Sequence, residues 1–263
     1  MRLPGVFIFP ARVLNYLRMR FIIRRLANLG ISVILIALAN GCQTGPDLSN
    51  IDRPAAANSK AAPTELEISG LYKVAGTGEN NGPAYEGTLD VSNKGDAYIF
   101  TWHTSPAKPA GVGVQLGDSV AVTYAEQAAG KGCGVALYQV GPGGVLTGRI
   151  AHWGEYSFGT EKATRVEGTN FDGKYAVDGM TSDGKPYHGT IDVEKYLSGY
   201  LFTWHAGGET KGLGVWSGTR AAVTFGGTQC SFALYEIRSA RSLEGTWGSP
   251  KSQVFGTESA RKP

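Results

Sequence analysis

The side chains able to do chemistry in this chain come in pairs about 100 residues apart. Trp102-His103 ends the run Tyr98-Ile-Phe100-Thr101-Trp102-His103, and Trp204-His205 ends the matching run Tyr200-Leu-Phe202-Thr203-Trp204-His205. A histidine can serve as base, ligand contact or pH sensor. Acid–base work needs a partner in reach, and neither histidine has a Ser or Cys nucleophile beside it in a recognisable elbow. Alternation along each run puts the aromatics on one face as packing residues and the histidine on the other. Glu161 and Glu258 close the repeated triplets Gly159-Thr160-Glu161 and Gly256-Thr257-Glu258. A carboxylate kept twice could orient a ligand; the plainer reading is a polar plug bonded to first-strand groups such as Tyr72 or Tyr175. Trp102, His103, Trp204, His205, Glu161 and Glu258 are therefore the candidate ligand or partner contacts, and no catalytic residue is assigned.

Metal and thiol chemistry are less well supported. His152 and His188 occupy non-equivalent places, and no HExxH, paired CxxC or Asp-rich calcium loop occurs. No metal or cofactor is expected. Cys133 and Cys230 alternate in phase with Val135 and Leu137 and with Phe232 and Leu234, which reads as two buried free thiols, one in each of two cores. The alternative is a Cys133–Cys230 bridge between the cores, favoured by an oxidising compartment.

That compartment follows from the first 41 residues. They hold six of the chain's 25 basic residues and none of its 22 acidic ones, so the formal charge of +3 becomes about −3 without them. The remaining Lys and Arg form no run or stripe, and nucleic acid is not an expected partner. The apolar run Ile31–Leu38 behind Arg20, Arg24 and Arg25 fits a secretory signal and is too short to span a bilayer. Met19 would give that signal an ordinary length. Leu38-Ala39-Asn40-Gly41-Cys42 resembles the lipobox of bacterial lipoproteins, with Ala39 where that family prefers Leu. The resemblance implies an acylated Cys42 as mature N-terminus and a membrane-surface anchor, and Gln43 after it implies outer-membrane sorting. Residues 42–65 are rich in Ala, Pro, Asn and Ser without periodicity, and read as a disordered tether.

The elements that must position the paired residues are themselves duplicated. Gly70-x-Tyr72-x-Val74-x-Gly76 recurs as Gly173-x-Tyr175-x-Val177-x-Gly179, Tyr85-x-Gly87-Thr88 as Tyr187-x-Gly189-Thr190, Cys133-x-x-Ala136-Leu137-Tyr138 as Cys230-x-x-Ala233-Leu234-Tyr235, and Leu146-x-Gly148 as Leu243-x-Gly245. The offset shrinks from 103 to 97 residues only within polar or Gly-rich stretches, which marks them as loops, since one inserted residue would turn a whole strand over. Between those loops the period is two, as in Val120, Val122 and Tyr124 against Ala121 and Thr123. About eight short strands per copy predict an all-β chain of two tandem antiparallel meander barrels, since closure removes exposed edges. The expected organisation is a signal over 1–41, a lipidated Cys42 and linker over 42–65, one barrel over 66–165 and a second over 166–263. A pair of open sandwiches, or one large barrel, is the alternative.

This architecture is similar to short calycin or avidin-type barrels and to exported bacterial proteins of the same Gly-x-Tyr pattern, some described as fibronectin-binding. The lysozyme-inhibitor lipoproteins also place an eight-stranded barrel behind a lipobox, although their inhibitory loop has no match here. The expectation is a non-enzymatic binding or structural module of the cell envelope, lipid-anchored and facing the periplasm or the cell surface. Its partner would be a protein, a cell-wall component or a small apolar ligand. A calycin-like carrier, a matrix adhesin or inhibitor, and a hydrolase using His103 or His205 are the rivals.

Overall fold

A computed structural model of the chain describes residues 65–104, 108–126 and 130–263; the signal, Cys42 and nearly all of the linker lie outside them. The described residues contain sixteen strands and no α-helix. In the first copy these are β1 (Gly70–Thr77), β2 (Ala84–Lys94), β3 (Ala97–His103), β4 (Pro109–Leu116), β5 (Ser119–Glu126), β6 (Gly134–Val140), β7 (Val145–His152) and β8 (Gly159–Glu167). The second copy supplies β9 (Gly173–Met180), β10 (Pro186–Tyr196), β11 (Gly199–His205), β12 (Glu209–Ser217), β13 (Arg220–Phe225), β14 (Ser231–Ser239), β15 (Ser242–Gly248) and β16 (Gly256–Arg261). Every pairing is antiparallel, and the strands close into two barrels of eight. The duplicated period-two pattern thus delivers the all-β double barrel it predicts.

The barrels do not follow the repeats. The first barrel contains β1 to β5 and then β14 to β16, whereas the second is the contiguous meander β6 to β13. One barrel is inserted into the other, and the expected boundary at 165/166 falls inside the second barrel, within β8. The exchange is possible because the copies present equivalent edges. β5 pairs β14 with Tyr124 opposite Ser231 and Val120 opposite Tyr235, and β13 pairs β6 with Phe225 opposite Gly134 and Ala221 opposite Tyr138. Subtracting the offset between copies converts one register into the other. Alternation within a strand specifies which face is buried but does not say which copy's sixth strand completes the ladder.

Three apolar layers result. Each lumen is filled by aromatics and aliphatics: Tyr72, Leu89, Phe100, Trp102, Val122 and Tyr235 in the first barrel, and Tyr175, Ile191, Phe202, Trp204, Val223 and Tyr138 in the second. The third layer joins the barrels and contains Val112, Val114, Ala121, Val135, Leu137, Leu213, Val215, Ala222, Phe232 and Leu234. The alternate faces of β5 and β13 are therefore buried as well. At the centre of this layer the hydroxyls of the equivalent residues Thr123 and Thr224 meet at 2.6 Å, so neither buried group lacks a partner. At the rim, Arg220 reaches Asp118 and Ser119, and Arg149 bonds the Gln115 carbonyl and Glu65.

The cysteines are fully buried and in phase with residues of this third layer. Cys133 and Cys230 form a disulfide with their Cα atoms 5.7 Å apart. The free-thiol expectation is corrected: the phase with Val135, Leu137, Phe232 and Leu234 is as expected, but that face lies between the barrels and not in either lumen. The chain leaves the first barrel after β5 and returns through β14, so both crossings run through one neck. Placing the thiols there satisfies the separation a bridge requires.

Candidate functional site

Each lumen has a tyrosine cap at one end and a mouth at the other. At the capped ends the Tyr72 hydroxyl donates to the Ile68 carbonyl at 2.5 Å, and the Tyr175 hydroxyl to the Phe171 carbonyl at 2.6 Å. Burial pushes Tyr72 up to about 12, which keeps it a neutral donor. These are the two tyrosines expected to hold the carboxylates. They cap the opposite end instead, and that part of the reading is corrected.

The carboxylates sit near the mouths. Glu258, on β16 and 4% exposed, accepts from Tyr235 Oη at 2.6 Å and Trp102 Nε1 at 3.1 Å through Oε1, and from Tyr85 Oη at 2.8 Å through Oε2. Glu161, on β8 and 2% exposed, accepts from Tyr138 Oη at 2.5 Å and Trp204 Nε1 at 3.4 Å through Oε1, and from Tyr187 Oη at 2.7 Å through Oε2. Tyr85, Trp102, Tyr235 and Glu258 correspond one for one to Tyr187, Trp204, Tyr138 and Glu161. Because of the strand exchange, each cluster takes two residues from each copy.

Glycine makes room for the tyrosines. A Cβ on Gly76 would lie 2.4 Å from the Thr257 carbonyl and 2.6 Å from the hydroxyl of Tyr85, and one on Gly179 would lie 2.1 Å from the Tyr187 ring. No side chain fits there, so these tyrosines lie flat across bare backbone with their hydroxyls aimed at the carboxylate. The second tyrosine of each cluster crosses Gly245 or Gly148 in the same way. The four tyrosines were not among the predicted site residues, although a signal was present: every one of these glycines and tyrosines belongs to a motif written twice.

Burial sets the electrostatics. It raises Glu161 above the ordinary carboxylate value, and the two tyrosines and Trp204 oppose that by donating to the charged form. Tyr138 and Tyr235 are pushed far up, first by burial and then by the adjacent carboxylate, so both remain donors. Tyr85 and Tyr187 shift the same way for the same reasons. Each carboxylate is thus held by three neutral donors, with no cation among them.

The two mouths differ. Above Glu258 the cavity measures about 520 Å³ and is walled by Tyr85, Trp102, Tyr124, Tyr235 and Trp247, with Glu79 and Glu126 at its rim. Trp102 packs against Tyr124 at 5.2 Å between centroids, and Tyr85 meets Trp247 edge-on at 6.1 Å. Above Glu161 the space is about 280 Å³, and Phe225 and Ile150 replace Tyr124 and Trp247. A larger concavity of about 810 Å³ runs along strand exteriors by Asp118, Arg220, Glu236 and Glu244, where charged side chains are already paired with one another.

Of the predicted contacts, Trp102 and Glu258 come together in one lumen and Trp204 and Glu161 in the other. His103 and His205 do not join them: both are exposed on outer faces, and His205 pairs with Asp192 at 3.1 Å. Among the described residues no cluster of His, Cys, Asp and Glu has the arrangement of a metal site. Set against known proteins, the chain matches no family model, no curated protein and no solved structure.

Proposed function

We propose that this chain is a lipid-anchored, non-enzymatic binding module of the bacterial cell envelope, exported by its leader, acylated at Cys42 and held off the membrane by the 42–65 linker. The mouth of the first barrel is its binding site. The observation that carries this reading is the cavity of about 520 Å³ in that mouth, walled by aromatic rings over one buried carboxylate. Small-ligand sites have this form: concave, mostly apolar, with a few fixed polar groups. The structure therefore favours the small-ligand carrier over partners met on the outer faces. It favours binding over hydrolysis as well, because three donors engage Glu258 while His103 stands outside the barrel.

Two measurements test the proposal. Palmitate labelling of the expressed protein, lost in Cys42→Ser, tests the anchor. For the site, the neutral dye N-phenyl-1-naphthylamine is titrated into the mature chain carrying C42S. Uptake at micromolar dye that Ala84→Trp, at the mouth, abolishes supports the reading. Absence of uptake, or uptake that ignores this substitution, refutes it.

A further inference from the structure

We propose that the mouth of the first barrel selects a small organic ammonium ion, a protonated amine carried on an apolar body. This deepens the binding reading above and rests on it. The first support is charge. Glu79, Glu126 and Glu258 line the cavity, and no Lys, Arg or His does so among the described residues. The second is the wall. Trp102, Tyr124 and Trp247 offer aromatic faces, which attract cations through the ring quadrupole.

The third support is the acceptor count at Glu258. A carboxylate offers about four lone-pair sites. Oε1 accepts from Tyr235 and Trp102, while Oε2 accepts only from Tyr85, so one site on Oε2 remains. An ammonium N–H fills it with a charge-assisted bond. An anion would meet three carboxylates, and a neutral alcohol would gain one ordinary hydrogen bond. The second barrel supplies an internal control. It keeps the tyrosines, the tryptophan and Glu161, but its smaller mouth lacks Tyr124 and Trp247 and is lined by His152 in place of further carboxylates.

Three probes of one shape test this: 2-phenylethylamine, 2-phenylethanol and phenylacetate, titrated calorimetrically into the mature C42S chain with the indole N–H signals of Trp102 and Trp247 followed by NMR. The amine is expected to bind at least ~10-fold more tightly than the alcohol, with phenylacetate weakest. Glu258→Gln should remove that preference and Glu161→Gln should leave it intact. Equal binding of amine and alcohol, or a preference that survives E258Q, overturns the inference and leaves the mouth as a binding site. Failure of every probe to move the two indole signals ends both readings. If E258Q does not fold, Trp247→Leu decides, because it must cost the amine at least ~3-fold more than the alcohol, and equal losses overturn the proposal.

Discussion

The strand exchange and the buried carboxylate clusters make one joint prediction that thermodynamics can read. If each copy closed its own barrel, Tyr85 would meet Glu161, the carboxylate of its own repeat. In the inserted arrangement it meets Glu258, 173 residues away in sequence. Tyr85→Phe removes the sole donor to Oε2, and a hydrogen bond to a charged group contributes about 1.5–3 kcal/mol. Tyr85 is only partly buried, so the coupling with Glu258 should fall near the lower bound, about 1.5 kcal/mol. The assay is a pair of double-mutant cycles by urea unfolding, Tyr85→Phe with Glu258→Gln and Tyr85→Phe with Glu161→Gln, compared through midpoints to limit extrapolation error. Distant sites add to within about 0.5 kcal/mol, so a coupling of about 1.5 is resolvable. Glutamine keeps the side-chain volume, and its carbonyl still accepts from Tyr235 and Trp102; because the Tyr85 hydroxyl can accept from the new amide, the cycle reads the charge-assisted bond less that weaker one. Coupling of Tyr85 to Glu161 and not to Glu258 would refute both the exchange and the site.

Three further predictions follow from the same geometry. Reducing the Cys133–Cys230 bridge, or replacing both cysteines with serine, reopens a 97-residue separation; chain entropy puts the loss near 4.5 kcal/mol. At about 2–4 °C per kcal/mol for a chain of this size, the melting midpoint should fall by roughly 10 °C or more in calorimetry with and without reductant, and an unchanged midpoint would remove the bridge from the neck. Gly76→Ala drives a methyl into the Thr257 carbonyl and the Tyr85 ring, so it should destabilise by about 1–3 kcal/mol and shift Tyr85 resonances, whereas alanine at exposed Gly143 should leave those resonances in place. Glu161 has a raised pKa, so the folded state binds its proton more tightly than the unfolded chain does. Its contribution is therefore fullest in acid and declines as pH rises from the ordinary value of 4.5 through the folded value. Glu161→Gln should flatten the stability profile above pH 4.5 in urea midpoints, and a profile identical to wild type would show that Glu161 is not buried as described.

The sequence by itself determined the strands, their faces and their loops. Period-two alternation is a local property, and duplication checked it twice, because length changes between copies are tolerated only where no ladder is disturbed. It also singled out Trp102, Trp204, Glu161 and Glu258, which the strands turn inward, together with His103 and His205, which they turn outward. What it could not decide was closure. The two copies offer equivalent edges, so β5 can pair with β6 or with β14 in the same register, and the choice depends on what covers the far side of those strands. Only tertiary packing buries Ala121, Ala222, Leu137 and Leu234 in a third layer, and only that layer turns two cysteines read as core thiols into a bridge at the neck. The tyrosines around each carboxylate were hidden for the same reason. Tyr235 reaches Glu258 from β14, one strand beyond its neighbour β15 in the same copy, but Tyr85 and Trp102 arrive from the other copy, across contacts that no local spacing encodes.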